Sequence, residues 1–79
     1  MITATARQLL TNLDVLTAFG RHFRGDWGDV DDEDWKANER ALVEGTRLLS
    51  VYHTVEGVKF WVITEWDRLL TTVLLPEDY

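Results

Sequence analysis

From about Thr5 to Phe23 the apolar positions recur at steps of three and four: Leu9, Leu13, Leu16 and Phe23 form one stripe, with Leu10 and Phe19 beside it. That period is helical, and the stripe is the side an amphipathic helix turns to its core. Thr11, Asn12 and Asp14 are all N-cap types, so the segment reads either as one helix or as two short ones jointed near Thr11 and Asn12. Gly20 falls on the stripe, where a small residue lets another backbone come close, and Gly25 is placed to stop the helix in a left-handed turn. A further helix is predicted from about Asp32 to Glu44. Asp31 is its expected N-cap, Trp35, Ala41 and Leu42 with Asn38 between them are its apolar side, and Gly45 is the residue that ends it.

After Gly45 the period changes from helical to alternating. RLLSVYHT and VKFWVITEW are rich in β-branched and aromatic residues, and Val55, Glu56 and Gly57 between them make a short hairpin turn. TTVLL, Thr71 to Leu75, reads as a third strand closed by Pro76. On the middle strand Val58, Phe60 and Val62 share one face, and Lys59, Trp61, Ile63 and Glu65 the other. The predicted fold class is α+β: two or three N-terminal helices packed on one face of a C-terminal three-stranded, largely antiparallel sheet, with the Trp61 side partly open. At 79 residues this is expected to be a single domain.

Composition narrows what such a domain can do. Hydrophobic residues make up 46% of the chain, too much for a disordered acidic tail. With 14 Asp plus Glu against 8 Lys plus Arg the formal charge is −6, which opposes direct binding to phosphate backbones or anionic lipid. The absence of cysteine removes disulfides and thiolate metal sites. No apolar run approaches the ~18 residues of a membrane span, and MITATARQLL lacks the basic and apolar regions of a signal peptide, so a cytoplasmic location is expected.

The charge is unevenly spread. GDWGDVDDED, from Gly25 to Asp34, holds Asp26, Asp29, Asp31, Asp32, Glu33 and Asp34 without one basic neighbour. Asp29, Asp31 and Glu33 have the alternating spacing that opens an EF-hand, but Asp34 stands where its turn glycine belongs and Arg40 where its bidentate Glu belongs. Helix capping plus a solvated negative surface, open to a basic partner, fits these acids better than calcium. His22 and His53 lie on different elements with nothing to complete a zinc set, and each reads as a half-exposed, hydrogen-bonded ring. Ser50 and His53, three apart on one strand, point to opposite faces and make a poor catalytic pair. Glu65 and Asp67 have Arg68 at hand as a salt-bridge partner, and GDWGD lacks the Lys and hydroxyl of a P-loop. Neither cofactor nor metal nor enzymatic activity is expected. Of the large rings of Trp27, Trp35, Trp61, Trp66, Tyr52 and Tyr79, one or two are expected to be exposed, and an exposed Trp beside carboxylates suits a protein partner.

Taken together, GDWGD, NERALVEGTRLLSVYHT, GVKFWVITEWDR and TTVLLPEDY resemble a family of small proteins carried on bacterial plasmids, integrative elements and phages. The resemblance covers about Arg21 to Tyr79 and carries no catalytic role with it. Trp66 departs from the small residue usual between Glu65 and Asp67, and Leu69 from the Ser that commonly follows Arg68. Small acidic proteins of such elements include inhibitors of host defence, anti-CRISPR and anti-restriction proteins among them, some of which offer carboxylates to surfaces that grip DNA. The resemblance itself implies a genetic setting and no chemistry; joined to the acidic pole between Asp26 and Asp34, it leads to the expectation of a non-enzymatic inhibitor of a host nucleoprotein complex, acting in the bacterial cytoplasm. Its expected contacts with the basic surface of a CRISPR or restriction effector are Asp26, Trp27, Asp29, Asp31, Asp32, Glu33, Asp34, Trp61 and Trp66. The alternative is a structural or regulatory partner of another mobile-element protein, as a homodimer through the Trp61 face.

Overall fold

A computed structural model describes residues 1–79 and shows three helices followed by a three-stranded antiparallel sheet. Helix α1 (Ala4–Leu9) starts at Thr3, whose hydroxyl accepts the Ala6 amide hydrogen, and ends where Leu10 turns extended. Helix α2 (Asn12–Phe23) starts at Thr11. The Thr11 hydroxyl accepts from the Asp14 amide at 3.0 Å, and the Asp14 carboxylate accepts from the Thr11 amide at 2.9 Å. Two otherwise orphaned donors are thereby satisfied at the joint, which is why two helices form and not one rod. Helix α3 (Asp32–Glu44) is capped by Asp31, which accepts from the Asp34 amide at 2.8 Å, and ends at Gly45 with φ 74°. Strands β1 (Leu48–His53), β2 (Lys59–Thr64) and β3 (Thr71–Leu74) lie in the order β1-β2-β3, and a 3₁₀ turn (Pro76–Asp78) closes the chain.

Along β2 the side chains alternate. Phe60 and Val62 join Tyr52, Val73 and Leu75 in the main core, against Ala6 and Leu10 of the first helical segment and Ala18 of α2. A smaller cluster of Trp27, Ala41 and Leu48 sits under α3. The helical period of the N-terminal segment is present, but its phase differs from expectation. Leu13, Leu16 and Phe23 are 72%, 67% and 66% exposed and Leu9 is also exposed, while Ala18 and His22 are buried. The inward face of α2 is thus centred on small Ala18 and polar His22, with Val15 and Phe19 half-buried at its margin. Tyr52 and Phe60 fill the space from the sheet side, and His22 finds hydroxyl partners there, so a leucine stripe is not what this interface accommodates. On α3, Asn38 and Ala41 are buried as expected, whereas Leu42 lies outside the core at 54% exposure.

Both outer edges of the sheet are covered by the chain itself. On β1, the Asn38 side chain imitates a peptide group: its amide donates to Leu49 O at 2.8 Å and its carbonyl accepts from Leu49 N–H at 3.0 Å. One step along, Val51 N–H donates to Trp27 O and Val51 O accepts from Asp29 N–H, so the GDWGD turn lies against the strand as a short parallel bridge. Gly28 makes this approach possible. Its φ is 78°, and a Cβ there would stand 2.1 Å from Val51 O, so no other residue fits without displacing the turn. On β3, Val73 exchanges hydrogen bonds with Met1 and Thr3. An edge that offers no free amide row does not template strand addition.

The opposite face of the sheet carries Trp61, Ile63, Val51 and Leu74. Trp61 is half-buried, with Tyr79 edge-on to it at 5.7 Å between ring centroids. Arg47 lies over the Tyr79 ring and pairs with Glu65 at 3.2 Å, so a thin lid of side chains stands where helices cover the other face.

Candidate protein-binding surfaces

The acidic segment divides into two parts of different character. Asp26 belongs to the fold: Arg21 Nε donates to its carboxylate at 2.8 Å, and the Gly28 amide adds a third contact after a second from Arg21. The hydrogen bond from Arg21 holds the Asp26 carboxyl below the usual carboxylate range and raises the guanidinium pKa in turn. Asp29 faces His53 Nδ1 at 2.7 Å. These two acids have cationic or ionisable partners inside the molecule, which corrects their assignment to a free negative surface. The cause lies in the turn, which must fold back on β1 and is fastened there by Arg21, by the Gly28 amide and by Tyr52, whose hydroxyl donates to Asp26 O at 2.6 Å.

Asp31 to Asp34 form the second part. Asp31 is engaged as the N-cap, while Asp32, Glu33 and Asp34 fill the first turn of α3, exposed and without an ion pair to any Lys, Arg or His of the molecule. The unpaired amides and dipole at a helix start favour negative charge at that point, so the fold gains from carboxylates it leaves facing water.

The aromatic residues named with these acids separate as well. Trp27 is 1% exposed and packs edge-on to the His22 ring at 5.7 Å, so it is a core residue and not a partner contact. The β1 bridge of the GDWGD turn carries that indole inward, under α3. Trp66 is 67% exposed in the loop between β2 and β3, near the C-terminal end of α3 and so a helix length away from Asp32. Trp61 lies on the far face of the sheet beside Tyr79. The three tryptophans and the acidic turn do not form one patch.

A buried polar chain that sequence reasoning missed runs through the centre. His22 is 2% exposed, with Nδ1 at 2.6 Å from Ser50 Oγ and Nε2 at 2.8 Å from Thr64 Oγ1, and Thr64 is in turn 2.9 Å from Thr71 Oγ1. The expected half-exposed ring is therefore wrong for His22, although it fits His53. Burial, and secondarily the charge on Arg68, lower the His22 pKa to about 4, so the ring is neutral at pH 7. Ser50 pairs with His22, not with His53, and is fully buried, which keeps its hydroxyl from any substrate. Above this chain lies a cleft of about 740 Å³ between α2 and α3, with Phe23, Arg24, Glu39, Leu42, Arg68 and Thr71 around it.

Arg68 does not serve Glu65 or Asp67 as a salt bridge. Its backbone is left-handed (φ 64°), and its guanidinium donates to the carbonyls of Ala41, Thr46 and Glu65, while Glu65 pairs with Arg47. The end of α3 and the β2–β3 loop are tied together by that one side chain. No group of three His, Asp or Glu side chains is arranged to hold a metal ion, and no helix is long and apolar enough to cross a membrane. No protein-family model, curated protein or solved structure matches the chain.

Proposed function

We propose that the chain is a non-enzymatic binding protein that engages a basic protein surface through the first turn of α3, with Asp32, Glu33 and Asp34 as the contacts. The observation that carries this reading is the exposure of those three carboxylates on one helical turn, none of them in a salt bridge with a cation of the same molecule. A surface that normally grips a nucleic acid backbone presents the charge that complements them. The resemblance of the sequence to proteins of mobile elements supports a partner of that kind, a host CRISPR or restriction effector. In this reading the α3 turn competes with the effector's nucleic acid and inhibits it, in the bacterial cytoplasm, without touching nucleic acid itself. Attraction of this type sharpens encounter and weakens with salt.

The test uses purified effectors of both kinds and their DNA-cleavage activity. Wild-type protein inhibits in proportion to its concentration, and the triple variant Asp32→Asn, Glu33→Gln, Asp34→Asn inhibits at least tenfold less while its circular dichroism is unchanged. Equal inhibition by the variant removes the α3 turn from the mechanism.

A further inference from the structure

We propose that α2 is a homodimer interface, in which two copies of the chain cross antiparallel along the ridge Leu13, Leu16, Gly20 and Phe23. These positions follow one another at steps of three, four and three, the spacing of a coiled-coil seam. They lie on the face of α2 opposite Ala18 and His22, which are buried. The exposures of 72%, 67% and 66% at Leu13, Leu16 and Phe23 leave no part of the same chain to cover them.

The composition of the ridge is unlike the rest of the surface. In a chain of which 28% is charged, the ridge positions Leu13, Leu16, Gly20 and Phe23 carry no ionisable side chain, and their flanks are Asn12, Thr17 and one cation, Arg24, which an antiparallel crossing sets beside Asn12 of the other copy. Two molecules of charge −6 can approach along such a face without setting like charges against each other. Gly20 is the second observation. A glycine inside a helix is unfavourable relative to alanine, and here the monomer has no use for it: a Cβ at Gly20 would meet nothing nearer than Arg24 Nη1 at 3.6 Å. A second helix backbone crossing at that point would use the space.

The sequence order commits the occupant to a second copy. An antiparallel pair centred on Ala18 sets Leu13 against Phe23 of the other copy and Leu16 against its Gly20, and the same two contacts recur in reverse. Each large side chain thus meets a position able to receive it, which is the self-complementarity a two-fold interface requires. Because both sheet edges are closed by Asn38, the GDWGD turn and Met1–Thr3, strand addition is not open to the molecule as a route to association. The three large ridge residues expose roughly 400 Å² per copy; doubled, and widened by Thr17, Gly20 and Arg24, this reaches the ~1,000 Å² that a specific interface needs.

Sedimentation at micromolar concentration reads the outcome directly, since the monomer is 9.2 kDa. The wild-type chain is expected at twice that mass. Leu16→Lys and, separately, Gly20→Gln are expected to weaken the dimer at least tenfold; both sites are exposed, so circular dichroism stays native. The chain has no cysteine, so orientation can be tested by mixing Leu13→Cys with Phe23→Cys under oxidising conditions. The mixed disulfide is expected to exceed both self-linked products. A wild-type chain that stays at 9.2 kDa, or a dimer that neither substitution weakens, overturns the proposal, and a preponderance of self-linked products overturns the antiparallel register.

Discussion

His22 is held between two hydroxyls in a buried site that favours its uncharged ring. An unfolded histidine takes up a proton near pH 6.5, but the folded ring does so only at about 4, because burial and then Arg68 oppose its charge. The unfolded state therefore binds more protons across that window. Stability from this group is fully present above pH 6.5 and declines as pH falls toward 4, by up to about 3 kcal/mol. Thermal unfolding followed from pH 7 to 4 is expected to show this fall, and His22→Gln, which keeps hydrogen-bonding capacity without the titration, is expected to flatten it. Asp26, held low by Arg21, adds its own loss only below the ordinary carboxylate range. None of this was legible in the sequence around Arg21 and Phe23, since the partners of His22 lie 28 and 42 residues away.

Among the elements, those whose boundaries depend on neighbouring residues were legible. Asp31 and Gly45 bracket α3, and the alternating runs on either side of Gly57 became β1 and β2. What could not be read was phase, because which side of α2 turns inward depends on what the sheet offers it. Leu13 and Leu16 have the helical spacing of a core stripe, yet the sheet meets α2 with Tyr52, Phe60 and a serine hydroxyl, which favour Ala18 and His22. The acidic segment divides for a similar reason. Asp32, Glu33 and Asp34 follow from local capping rules, whereas the pairing of Asp26 and the burial of Trp27 follow from the bridge to Val51. Asn38 stood out only as a polar residue on an apolar helix face, and its task belongs to the sheet. Asn38→Ala is expected to leave both Leu49 backbone groups without their partner and to lower stability by about 2 kcal/mol, read as a reduced urea midpoint at unchanged slope.

At the scale of the whole molecule, a chain of charge −6 carries two proposed surfaces of opposite electrostatic character, and salt separates them. Capture of a basic partner by Asp32, Glu33 and Asp34 is expected to weaken as ionic strength rises. The α2 pair joins two negative molecules through an uncharged ridge, so screening is expected to tighten it. Titrations of both associations between low and high salt are expected to move in opposite directions; movement in the same direction would mean that one of the surfaces is wrongly assigned. The dimer presents two acidic turns on one particle.

The hydroxyl–imidazole chain from Ser50 through His22 and Thr64 to Thr71 draws one residue from α2 and one from each strand. Leaving out any one of these four elements removes at least one of the three hydrogen bonds of this chain. Half-built species are thereby penalised relative to both the fully assembled and the fully solvated chain, which steers this small protein toward a single cooperative transition.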